Sequence, residues 1–184
     1  MKVLTVVLLM VVLSLGANLA MAAPDPAFDA ATALVTVTVD EIIEWEDANN
    51  LGDFDTIAIT PNITAQADTP SASKSLVLYT NCNVNITADN TTAAQLTKTT
   101  DTLVTEYKLD YDVEVDGANT WGVPKDWALH NLFLAGGAST ASVVTHETLD
   151  GAIEVTLSAR ASNATGTLAD AGAYHAHQTL TATF

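Results

Sequence analysis

One cysteine, four histidines and six basic residues in a chain of 184 leave little from which to build disulfides, metal centres or a nucleic-acid interface. Cys82 alone cannot form an internal disulfide. Six Lys and Arg stand against 22 Asp and Glu, a formal net charge of −16 at pH 7, so the surface repels phosphate backbones and anionic lipid. No nucleic-acid partner is expected. The chain has no G-x-S-x-G elbow, no S-x-x-K pair and no H-E-x-x-H signature, the spacings that bring nucleophile, base or zinc ligands together. No catalytic residue, enzyme activity or obligatory cofactor is expected.

Long apolar runs are also missing after the first 22 residues, so no membrane insertion is expected once those are removed. Those 22 have the three parts of a secretory signal peptide: Lys2, the apolar run Val3 to Leu15, and Ala20-Met21-Ala22 as the small-x-small site. Cleavage after Ala22 is expected, followed by secretion to the extracellular side or the cell surface. Residues 23–184 fit one domain, long enough to bury a core.

What is abundant is Thr and Val in period-two alternation. From Leu103 to Asp116 the pattern puts Leu103, Thr105, Tyr107, Leu109, Tyr111, Val113 and Val115 on one face and Val104, Glu106, Lys108, Asp110, Asp112, Glu114 and Asp116 on the other. Similar runs are Ala31 to Val39, Thr56 to Ile63, Leu76 to Ala88, Ala152 to Arg160 and Tyr174 to Phe184, with shorter ones at Ile42 to Trp45 and Ser142 to His146. Turn-rich segments separate them, among them Asp47 to Asp55 and Gly117 to Pro124. The expectation is an all-β fold, an antiparallel β-sandwich of jelly-roll or Ig-like type with about 7–9 strands. Ala93 to Thr97 and Trp127 to Leu134 lack alternation and read as short helix or crossover loop, and Cys82 falls on the apolar phase of its run as a small buried hydrophobe.

Few residues suggest binding chemistry. Asp47, Asp53 and Asp55 are hard oxygen donors in one loop, suited to Ca²⁺ but without EF-hand spacing. His175 and His177 share one face of the last strand and could hold a transition metal with a third ligand, although solvent-facing polar residues are the commoner use. Asn62, Asn85, Asn90 and Asn163 each begin an N-x-Thr sequon. Trp121, Trp127 and Phe133 could cover one end of the sandwich or form an aromatic carbohydrate platform.

Ala23 to Asp29 is a short Pro-containing leader, and Ala31 to Val39 follows it as a terminal strand, able to pair within its own domain or at a neighbour's sheet edge. With the final strand Gly172 to Thr183, this architecture resembles prokaryotic secreted fibre subunits, the matrix fibres of the TasA and camelysin kind and the archaeal bundling pili. The resemblance implies donor-strand complementation, in which Ala31, Ala33, Val35, Val37 and Val39 of one subunit would fill a groove in the next. The expected function is therefore a non-enzymatic structural subunit of a surface filament or matrix that associates with itself. The alternative is a secreted carbohydrate- or Ca²⁺-binding β-sandwich module.

Overall fold

The computed structural model describes residues 32–46, 54, 56–112, 119–135, 141–148 and 151–184. They fall in two units, Met1–Thr38 and Val39–Phe184. The second is all-β. Its strands are β1 (Ile43–Glu46), β2 (Ser71–Thr80), β3 (Val84–Ala88), β4 (Thr97–Lys98), β5 (Asp101–Thr102), β6 (Val104–Asp112), β7 (Asn119–Gly122), β8 (Lys125–Leu129), β9 (Ser142–Thr148), β10 (Ala152–Ser162) and β11 (Leu180–Thr183). One 3-10 turn, Thr92–Ala94, is the only helical element among the described residues.

The strands form a five-stranded sheet in the order β1-β2-β10-β6-β8, a four-stranded sheet in the order β11-β3-β9-β7, and the small hairpin β4-β5. All pairings are antiparallel. Leu78, Leu109, Ile153, Val155 and Leu157 of the first sheet share one buried cluster with Val84, Ile86 and Val144 of the second. Two sheets that bury their apolar faces in a common core make a sandwich, and each such side chain contributes about 1.5–3 kcal/mol relative to exposure. Phe133 is buried in the same cluster, its ring 5.7 Å from that of Tyr107.

The expected alternation in β6 is present over its described length: Leu103, Thr105, Tyr107 and Leu109 are buried, while Val104, Glu106, Lys108 and Asp110 are half-buried on the outer face. Val113 and Val115 lie outside the described residues. Other expectations are corrected. The run Leu76 to Ala88 is two strands, β2 and β3, which belong to different sheets and are joined by a bend at Asn81 and Cys82. Both strands face the same interior, so their apolar phase runs on across the corner and hides it. Cys82 is therefore half-buried in a bend, with its Sγ 3.4 Å from Thr80 Oγ1.

Gly117 to Pro124, read as a turn, contains β7, and Trp127 to Leu134 opens with β8 before turning. Close approach explains Gly122, since a Cβ there would lie 2.2 Å from the Tyr111 ring. Thr56 to Ile63 forms no strand, although Ile57 and Ile59 pack against the core as their alternation requires. Pro61 has no N–H to give to a ladder. Ala31 to Val39 is not a strand either over its described part, residues 32–39.

Candidate functional site

Strand edges carry the functional question, because an edge presents unpaired backbone groups that a second chain can use. Like β7 at the other side, β11 is an outer strand of the four-stranded sheet. Residues upstream of it continue the same line: Thr97 and His175 exchange backbone hydrogen bonds at 2.9 and 3.1 Å, His177 N–H donates to Ala93 O at 2.7 Å, and Asp89 N–H donates to Thr179 O at 2.9 Å. The odd-numbered residues thus turn their backbone groups toward β3 and, upstream of β11, toward Ala93 and Thr97. In an extended chain the even-numbered ones point the other way, and among the described residues no backbone partner meets Tyr174, Ala176, Gln178, Leu180 or Ala182 on that side.

Their side chains face inward but are only half-buried, and Phe184 is 64% exposed. The core is therefore incompletely covered along this edge. Beside its upstream end opens a groove of about 860 Å³, lined among others by Ile57, Ile59, Ile63 and Leu103 and, as one stretch of its wall, by residues 168–175.

A polar clasp fixes the segment that forms this wall. Tyr174 Oη donates to the Asp101 carboxylate and lies 2.9 Å from Asp170 O. Asp170 N–H donates to the other side of the clasp, Asp101 Oδ2, at 2.7 Å. Lys98 Nζ donates to Ala171 O at 2.6 Å and sits 5.8 Å from the Tyr174 ring. The Tyr174 hydrogen bond, then the Asp170 N–H, hold the Asp101 carboxyl below its ordinary range. Desolvation, then the Asp101 carboxylate, push the Tyr174 phenol up to about 12. Sequence reading missed this clasp because its members are 73 positions apart and no local pattern links them.

The sequence-derived sites fare differently. Asp47, Asp53 and Asp55 lie outside the described residues. His175 and His177 are both exposed on the outer face as expected, and no group of three or more metal-ligating side chains occurs among the described residues. Of the sequons, Asn62 and Asn85 are exposed, Asn85 pointing away from the core between buried Val84 and Ile86. Asn90 is committed inside: its Nδ2 donates to His130 O at 3.1 Å and Phe133 O at 2.6 Å. Asn163 Oδ1 accepts the Ala169 N–H at 3.0 Å.

Trp127 does not present a free ring on both sides, because the Arg160 guanidinium lies 4.5 Å from its centroid and bonds Glu106 at 2.7 and 3.0 Å. Phe133 is core, as noted above. Residues 32–39, by contrast, are exposed throughout, with Leu34, Val35 and Val37 at 91, 88 and 87%.

No helix among the described residues is long and apolar enough to cross a membrane. Comparison with protein-family models and with curated proteins finds no match.

Proposed function

We propose that this chain is a non-enzymatic structural subunit of an extracellular fibre or matrix, exported through its signal peptide and joined to its neighbours by donation of the strand Ala31 to Val39. The observation that carries this reading is the state of residues 32–39: an alternating Thr/Val run that forms no strand in the single chain and leaves Leu34, Val35, Val37 and Val39 to water. A β-prone apolar segment of that kind gains hydrogen bonds and burial by adding to another sheet. Repetition head to tail does not close, so the product is a filament.

The composition supports the same reading. A strongly acidic surface keeps subunits soluble before assembly. The test is direct imaging of the chain from Ala23 by negative-stain electron microscopy, with and without millimolar Ca²⁺. Regular filaments support the proposal; discrete monomers in both conditions overturn it.

A further inference from the structure

We propose that the acceptor for the donated strand is the outer edge formed by Tyr174 to Phe184, so that residues 31–39 of a second copy of this chain become a fifth strand of the four-stranded sheet. This inference rests on the fibre reading and adds the place of docking. Three observations select this edge.

The first is backbone availability. Leu180 and Ala182 direct their N–H and C=O groups away from β3, and Tyr174, Ala176 and Gln178 direct theirs away from Ala93 and Thr97; none of the five meets a backbone partner among the described residues. Of the eleven residues, Leu180–Thr183 is strand, and backbone bonds at His175, His177 and Thr179 carry the alternation upstream; fully extended, the stretch reaches roughly 36 Å at about 3.3 Å per residue, and a nine-residue donor roughly 30 Å. The lengths match.

The second is burial. The inward side chains of this edge are half-covered, and the Gln178 Nε2 among them is buried without a hydrogen-bond partner. An edge that leaves apolar side chains partly wet and a buried donor unsatisfied is stabilised by a further strand. The groove beside Tyr174 leaves room for the strand's end.

The third is charge. In a chain of net charge −16, neither residues 31–39 nor residues 174–184 contain an acidic residue, so two copies meet there without carboxylate repulsion. Competing edges are less suited. β1 carries Glu44 and Glu46, and β8 carries Lys125 and Asp126 and has an irregular register with β6. β7, the other outer strand of the four-stranded sheet, is also free of acidic residues, but its register with β9 shifts between Asn119 and Thr120. The part of β2 beyond β1 also has an open side, at Ser71, Ser73 and Ser75, because Pro70 O and Thr80 N–H fix the even-numbered residues toward β10. There Lys74 lies on the inner phase with Leu76 and is exposed, a charge of the kind that keeps edges from pairing.

The experiment compares the chain from Ala23 with its Ala182→Pro and Ser73→Pro variants. Each proline removes an N–H that points to an open edge and leaves the existing ladder intact. The expected result is filaments from the parent and from Ser73→Pro, and loss of filaments with retained strand content from Ala182→Pro. Filaments from Ala182→Pro overturn the acceptor assignment, as does their loss from Ser73→Pro alone. Absence of filaments from the parent overturns the fibre reading itself. Should Ala182→Pro fail to fold, hydrogen exchange on parent filaments decides: slowed exchange at Ala176, Gln178, Leu180 and Ala182 relative to monomer supports the edge, and unchanged exchange overturns it.

Discussion

Tyr174 gives its phenolic hydrogen to the carboxylate of Asp101, and this contact between the β4-β5 hairpin and the C-terminal segment holds one wall of the groove. Asp101 also accepts the Asp170 N–H, so loss of one carboxylate charge weakens two anchors of the same wall. Its folded-state pKa lies below the ordinary carboxylate value, mainly through the Tyr174 hydrogen bond. A depressed carboxylate stabilises the fold above its unfolded-state pKa, and that contribution disappears as pH falls through the lower folded-state value.

The expected outcome is that thermal stability of the wild-type chain falls on acidification below about pH 4, and that Asp101→Asn loses part of that acid sensitivity. Melting curves from neutral to acid pH check this. Tyr174→Phe should behave like Asp101→Asn at neutral pH and leave the groove wall more open to hydrogen exchange at Asp170.

Ile153 sits wholly inside the shared core. Ile153→Ala removes buried methyl groups and leaves a cavity between the sheets, so unfolding free energy should drop by about 2–5 kcal/mol in a urea titration. Ser158→Ala, on the outer phase of the same strand, should change it by less than about 0.5 kcal/mol.

The corner between β2 and β3 shows what was legible in the sequence and what was not. Period-two alternation marked β6, β10 and the inner phase of both sheets, because burial on one face follows directly from the pleat. The same regularity concealed the turn at Asn81 and Cys82, where Thr80 and Val84 face one interior from two sheets. Thr56 to Ile63 shows the opposite failure: Ile57 and Ile59 do pack inward, but packing alone does not make a ladder. The His175 and His177 phase was readable; the Asp101 to Tyr174 clasp was not, since nothing local joins a hairpin to a distant segment.

Asn90 illustrates a sequon with a structural use. Its amide donates to two carbonyls in the turn after β8, so Asn90→Ala strands both and should cost roughly 1–3 kcal/mol. Asn90→Asp, which sets an anion against those carbonyls, should cost more. Asn85→Gln should leave the melting temperature unchanged, and in a glycosylating host mass spectrometry should find glycan at Asn85 and none at Asn90.

Arg160 bonds Glu106 with two nitrogens while covering the Trp127 ring. The group is partly exposed, so Arg160→Ala should destabilise by only about 1 kcal/mol. Arg160→Lys should not restore the loss, because an ammonium cannot reproduce the planar fork. Chemical denaturation followed by tryptophan emission measures both changes.

The central claim is that residues 31–39 leave their own chain and complete another. Sedimentation velocity on the chain from Ala23 and on the same chain begun at Asp40, across a range of concentrations, tests it most directly. The account predicts growing polymer from the first and a folded, concentration-independent monomer from the second; a concentration-independent monomer from both, or equal polymer from both, contradicts it.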